Sequence, residues 1–248
     1  GEPDGALDDR KTRVSRRVGT VYARAGFCHP ILAGPMIRFV TFFAPAEGRE
    51  IPAPLAHMVT LLRRSIAATN PGAEFLLLVP KGIRVNNPYG IDAKHLSARP
   101  RGLMTQKVQS WLDACTRLSP ADTVLIDPDT LVAGAIDDPF EAHDYDVGLS
   151  WHPDRSLPHP LNAGVLFVPA ASFDKAAGFF DACLGEIGRL DPKYRDWYGD
   201  QQAMVNLCGP AHVSQPSLPD AITAGGASIR FFDCSVWNRW PANEHDMT

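Results

Sequence analysis

Short apolar runs and helical repeats alternate through the first half of the chain. Residues 36–43 form a compact β-branched and aromatic run that ends at Pro45, which predicts a strand. Leu55, Met58, Val59, Leu62 and Ile66 then recur at helical spacing, after Pro52 and Pro54 and before the stop signal Asn70-Pro71-Gly72. Residues 74–79 are a near-continuous apolar run, the pattern of a strand buried on both faces. After a loop rich in Gly, Asn and Pro, Val108, Trp111, Leu112, Cys115 and Leu118 mark a second helix that stops at Ser119-Pro120. The apolar run 123–126 predicts a third strand, which leads directly into Asp127-Pro128-Asp129.

Strand, helix, strand, helix, strand is the opening of a parallel sheet with helices on its faces. Ligands of such sheets bind beyond the carboxyl ends of the strands, where Asp127 and Asp129 fall. Past residue 130 the pattern is less regular. Runs 145–151 and 162–168 read as strands on either side of a Pro- and His-rich loop, 152–160. A helix over about 172–190 has Ser172 as its N-cap, a shorter one starts near Asp200, and 229–232 is a late strand. No repeat, low-complexity tract or long linker interrupts 36–248, so one α/β domain is expected there.

Composition narrows the class of protein. The 248 residues are 45% hydrophobic and 21% charged, ordinary for a globular chain that folds without disulfides or a structural metal. The net charge of −4 argues against a nucleic-acid partner, whose phosphates call for a basic excess. The five cysteines, at 28, 115, 183, 208 and 234, show no C-x-x-C spacing and read as buried thiols of a reducing compartment. With no membrane-length apolar run and no signal-peptide pattern, a cytoplasmic location is the expectation. Residues 1–35 differ: Arg10, Lys11, Arg13, Arg16, Arg17 and Arg24 follow Asp8 and Asp9. Such a segment is a solvated arm or surface helix; its sharper reading is peripheral membrane contact with anionic headgroups.

An Asp-x-Asp pair is a weak signal by itself, and Asp144-Tyr145-Asp146 is a second one in this chain. Asp and Pro also favour plain turns. The position of Asp127-Pro128-Asp129 at a strand end strengthens the chemical reading. Pro128 restricts the backbone between the two acids. Adjacent carboxylates in a crevice are hard oxygen ligands suited to Mn²⁺ or Mg²⁺, and such an ion can bridge the oxygens of a diphosphate leaving group.

The stretch 122–132 resembles the strand and acidic turn of GT-A fold glycosyltransferases, in particular the glycogenin-like and bacterial lipopolysaccharide galactosyltransferase-like group. Ala135-Ile136-Asp137-Asp138-Pro139-Phe140-Glu141 fits the segment that follows that turn, Asn162-Ala163-Gly164 resembles the group's Asn-Ala-Gly strand, and Asp200-Gln201 its Asp-Gln helix start. The match spans about 36–207. The resemblance implies a Rossmann-like, mixed, mostly parallel sheet with helices on both faces, and a nucleotide-diphosphate sugar as donor. It implies that Asp127, Asp129 and a C-terminal histidine hold the metal. Asn162, Ala163 and Gly164 would lie near the transferred sugar, and Asp200 and Gln201 near its anomeric carbon or the acceptor. Lys107 would pair with a phosphate or sugar group, and Thr41 and Phe42 would lie near the base. The acceptor, whether glycan, lipid or protein, is left open.

The C-terminal segment departs from the group's His-x-x-Gly and Lys-Pro-Trp pattern. His245 is the histidine in that neighbourhood, and no glycine follows it. Trp237-Asn238-Arg239-Trp240 reads either as an aromatic platform near an acceptor or phosphate or, for its two Trp, as core. The resemblance favours retention of anomeric configuration. Two other readings compete: a non-catalytic nucleotide-sugar binder of the same fold, and a haloacid dehalogenase-type phosphatase with Asp127 as nucleophile. Against the phosphatase, two strands precede the acidic motif, which in that group opens the fold.

Overall fold

The computed structural model describes residues 36–45, 53–84, 92–96, 102–142, 144–154 and 159–239. The basic segment 1–35, Cys28, most of the loop 81–102, Trp240 and His245 therefore lie outside the described residues.

The chain alternates as its apolar pattern dictates. Strand β1 (Arg38–Phe42) leads into α1 (Ala53–Thr69) and β2 (Glu74–Val79); β3 (Asp92–His95), α2 (Leu103–Arg117) and β4 (Thr123–Ile126) follow. The second half holds α3 (Asp138–Glu141), β5 (Val147–Trp151), β6 (Leu161–Val168), α4 (Phe173–Arg189), α5 (Gly199–Cys208) and α6 (Pro210–Val213). It closes with β7 (Ile222–Ala224), β8 (Ala227–Asp233) and α7 (Cys234–Trp237).

These strands form one eight-stranded sheet in the order β3-β2-β1-β4-β6-β5-β8-β7. Pairs β1/β2, β1/β4, β2/β3 and β5/β8 are parallel, and β4/β6, β5/β6 and β7/β8 antiparallel. This is the mixed, mostly parallel sheet expected, and Gly34–Thr248 forms one compact unit. From β1 the chain turns toward β2 on one side and later returns to β4 on the other. The gap beyond the ends of β1 and β4 is thus a topological switch point, where open α/β sheets take ligands.

Strand alternation sends successive side chains to opposite faces, and each face has its own core. Leu125, Leu149 and Leu166 pack with Val108 and Trp111 of α2, Phe179 and Phe180 of α4, and Met204 of α5. Val124, Ile126 and Phe167 pack on the other face with Leu62 and Ile66 of α1 and Phe140 of α3. Each such fully buried side chain stabilises the fold by about 1.5–3 kcal/mol relative to exposure. Asp127 follows Leu125 by two positions, so the sheet aims its side chain toward α2.

Three features differ from the sequence reading. Asp92–His95 pairs as an edge strand with β2, although its charged and small residues carry no strand signal. Ile222–Ala224, three residues long, is too short for a periodicity to register. Ser172 does not cap α4 with its side chain; a 3₁₀ turn, Ala170–Ser172, runs into the helix, and the hydroxyl donates a long 3.4 Å bond to the Tyr145 carbonyl. The second acidic pair is structural. Asp146 accepts from the Ser228 amide at 2.8 Å and Asp144 pairs with Arg230 at 3.0 Å, fastening the start of β5 to β8. Cys115, Cys183, Cys208 and Cys234 are free and buried, as expected. Among the described residues no helix is long and apolar enough to cross a membrane.

Candidate functional site

The acidic motif is both a turn and a site. The Thr130 amide donates to the Asp127 carbonyl at 3.2 Å, closing a tight turn with Pro128 in the position where its fixed φ is favourable. The Asp127 amide donates to the Gly164 carbonyl at 2.8 Å, which ties the turn to β6. Asp129 lies at the exposed corner of the turn.

Lys107, one turn into α2, points inward instead of standing in solvent as a charge on an amphipathic helix would. Its Nζ lies 2.8 and 3.0 Å from the two carboxylate oxygens of Asp127 and 3.1 Å from Oδ2 of Asp200, with the Trp111 ring centroid 5.4 Å away. Lys107 and Val108 head the buried face of α2 that continues into Trp111, so core packing fixes the stem whose ammonium reaches the acids. Asp200 comes from the first turn of α5 and is 1% exposed. Its Oδ1 accepts from the Gln201 amide at 2.9 Å, while its Oδ2 faces Lys107 outside the angle of a good hydrogen bond.

One ammonium between two acids, with Asp129 adjacent, leaves excess negative charge at the crevice. Burial opposes the charged form of Lys107, but Asp127 and then Asp200 outweigh it, so the ammonium titrates above its ordinary 10.5. Burial holds Asp127 above its ordinary 3.8; Lys107 pulls it back, while Asp200 and Asp129 push it further up. A cation beside Asp127 and Asp129 would relieve that repulsion.

The remaining expected residues separate into two sets. Asn162 is half-buried and its Oδ1 accepts from the Gly164 amide at 2.7 Å; Gln201 is half-buried beside Asp200. Ala163 is 1% exposed and belongs to the core beneath α2 and α4. Asp127 and Gly164 are neighbours across the β4/β6 pair, so Asn162 and Gly164 sit at the same sheet end as the Lys107–Asp127–Asp200 cluster. Thr41 and Phe42 end β1 beside β4, Phe42 one position past the Thr41–Ile126 pair and so level with Asp127. Phe42 is a core side chain, and Thr41, in register with Ile126, lies on the opposite sheet face, its buried hydroxyl without a partner. Among the described residues no group of three or more His, Cys, Asp or Glu could hold a metal. Asp127 and Asp129 would thus supply two carboxylates, which fits Mn²⁺ or Mg²⁺ held jointly with substrate phosphates.

The residue pattern carries little sign of the segment that joins Lys107 to Asp200. A 3₁₀ turn, Pro192–Arg195, packs on the start of α2, and the Asp196 carboxylate accepts from the Leu103 amide at 3.1 Å. A Cβ on Gly102 would fall 2.7 Å from the Arg195 carbonyl oxygen, and one on Gly199 would overlap that of Tyr194. Two glycines thus let this turn pack against both helices. Tyr198, directly before α5, adopts a left-handed φ of 63°, its ring 5.1 Å from that of His159 and 5.6 Å from the exposed Trp197. Gly199→Ala should lower stability by about 1–3 kcal/mol, because the obstructing atom is backbone; urea unfolding midpoints measure it.

No protein-family model and no curated protein matches the chain. Similar solved structures include the glycosyltransferase GlyE of Streptococcus pneumoniae TIGR4, at 14% identity and a TM-score of 0.47, covering 70% of this chain and 43% of that one. A glycosyltransferase involved in glycosylating the major capsid of PBCV-1 aligns at 13% identity and a TM-score of 0.47, over 80% and 81% of the two chains. The galactosyltransferase LgtC, in complex with donor and acceptor sugar analogues, aligns at 13% and 0.47, over 79% and 73%. This chain thus spans less than half the length of GlyE. Likenesses this distant carry no argument about the chemistry of its site.

Proposed function

We propose that the protein is a glycosyltransferase that moves a sugar from a nucleoside-diphosphate donor to a hydroxyl-bearing acceptor. The observation that carries this reading is Lys107 held between Asp127 and Asp200, at 2.8 and 3.1 Å. Residues from three separate segments, two of them in motifs and Lys107 at a position the resemblance implied, meet at the switch point of the sheet. A site for substitution at an anomeric carbon needs fixed charge at the leaving diphosphate and a carboxylate near the reacting carbon, and this cluster supplies both kinds of group.

Asp127 and Asp129 would hold Mn²⁺ or Mg²⁺. When bound, that ion neutralises charge on the diphosphate as it leaves. Lys107 brings a permanent positive charge to the same end of the sheet and keeps Asp127 and Asp200 in fixed relation. Asp200 and Gln201 lie on the far side of Lys107 from the acidic turn, where they would face the sugar. A buried carboxylate beside Gln201 suits transfer with retention, in which polar groups on the second sugar face stabilise the oxocarbenium-like transition state.

The test is incubation of the purified chain with Mn²⁺ and a panel of UDP-, GDP-, ADP- and dTDP-sugars. Slow release of nucleoside diphosphate, abolished by EDTA and restored by Mn²⁺, is the expected result. Tight binding without release would assign the chain as a nucleotide-sugar binder. Release of inorganic phosphate from monoesters, with nucleotide sugars untouched, would assign a phosphatase.

A further inference from the structure

Asn238 presents a buried amide with nothing to bond. Its Nδ2 has no hydrogen-bond partner among the described residues. Leaving a buried N–H unpaired is costly, and native chains keep such groups where something else completes them. Its backbone N–H is already satisfied by the Cys234 carbonyl at 3.1 Å, so the side chain is not needed to end α7. Nor is the amide drifting: the preceding Trp237 anchors the segment against Phe167 and Phe232, at 5.5 and 6.2 Å between ring centroids.

Its location decides what it could bond. A Cβ on Gly164 would lie 2.8 Å from Nδ2 of Asn238 and 3.0 Å from Oδ1 of Asn162. The Asn238 amide therefore occupies the space that a side chain at 164 would fill. Gly164 sits directly across the β4/β6 pair from Asp127, and residues opposed in this way project to the same face with Cβ positions about 4.5–5.5 Å apart. Asn238 thus stands at the sheet end where Gly164 meets Asp127, the end that also carries Lys107. Asn162 does not complete it: its Oδ1 accepts from the Gly164 amide at 2.7 Å, and Asn238 Nδ2 makes no hydrogen bond to it.

We infer that Asn238 is a substrate-binding residue, its Nδ2–H donating to an oxygen of the nucleoside-diphosphate sugar lodged beside Asp127. The inference rests on the transferase reading. It assigns to the Trp237-Asn238-Arg239 segment a part in donor binding: Trp237 anchors in the core and Asn238 reaches the ligand. Gly164 is then required because any larger residue would displace the amide.

Asn238→Ala and Asn238→Asp, compared with wild type, test it. UDP, GDP, ADP and dTDP are each titrated with MnCl₂ by calorimetry, turnover of the nucleotide sugars is measured, and melting temperatures are recorded without ligand. In the free protein Asn238→Ala should melt at or above the wild-type temperature, since an unpaired buried group is removed. With ligand, binding or turnover should fall about tenfold or more, and Asn238→Asp should lose at least as much, because it keeps the shape but offers no N–H and adds negative charge. Weakened binding of the nucleoside diphosphate itself places the contact on a phosphate oxygen. Intact diphosphate binding with reduced turnover of the nucleotide sugar places it on the sugar. If wild type binds a nucleoside diphosphate and both variants match it in binding and turnover, the inference is overturned while the transferase reading stands. If Asn238→Ala melts several degrees lower with ligand behaviour unchanged, the residue is structural and the inference is overturned. If wild type binds none of the four and turns over no sugar donor, both fall together.

Discussion

Asp127→Ala is expected to cut turnover of a nucleotide sugar by about a hundred- to a thousandfold while leaving the protein folded. The substitution removes a fixed charge aimed at the leaving group, and single preorganised electrostatic partners of a transition state are worth about that much. Folding should survive because Lys107 keeps its second partner, Asp200, at 3.1 Å. The Asp127 side chain is itself 32% exposed, so little buried structure depends on it. Nucleoside-diphosphate release measures the first effect and a circular-dichroism melt the second. Loss of both together would mean that Asp127 belongs to the scaffold and not to the chemistry.

Lys107→Met should have the reverse balance, a stability loss of about 3–5 kcal/mol. Methionine fills much the same stem volume, but Asp200, 1% exposed, is left without the cation beside it. Breaking one side of a buried pair costs more than the pair itself contributes, because the stranded charge keeps its desolvation penalty. The loss should depend on pH in a definite sense. Burial already holds the Asp127 carboxyl above 3.8, and Lys107 opposes that rise. A carboxyl whose folded pKa is raised contributes stability below its unfolded value and loses it as pH climbs through the folded value. Without Lys107 the folded value rises further, so more is lost on ionisation. The gap in melting temperature between wild type and Lys107→Met should be small near pH 4 and wide at pH 8. An equal gap at both values would contradict the ion-pair account.

The contrast between these two variants shows which parts of the site the residue pattern could announce. Asp127 was legible because an apolar strand delivers it into a Pro-fixed turn, and strand ends are where α/β sheets place ligands. Lys107 was legible only through its resemblance to a family position. By periodicity alone a lysine on an amphipathic helix belongs in water, and its burial depends on two acids, 20 and 93 residues further along the chain. Thr41 and Phe42 are a different case. The resemblance implies a place near the base; in the fold Phe42 is a core side chain level with Asp127, and Thr41 lies on the other face.

The elements that escaped the sequence reading share one physical cause: their signals are tertiary. The strand Asp92–His95 gains its identity from hydrogen bonds to β2, not from its own composition. Gly102 and Gly199 look like ordinary loop punctuation until the turn Pro192–Arg195 is seen packed against them. Asn238 is legible only as part of the Trp-Asn-Arg-Trp run; its own role lies in an unsatisfied amide beside a glycine 74 positions earlier. By contrast, β1, β2 and β4 and the helices α1 and α2 were set by local periodicity, where a buried face and its repeat are the same fact.

Transfer by this protein is expected to require Asp127 and Asp129 to grip a metal-bound diphosphate beside Lys107. A crystal structure of the protein soaked with MnCl₂ and the nucleoside diphosphate that binds best tests this directly. The expected result is an ion about 2.0–2.2 Å from oxygens of Asp127 or Asp129 and of the diphosphate, with the phosphates lying beyond the ends of β1 and β4. A diphosphate bound away from those strand ends, or an ion that touches neither aspartate, would contradict it.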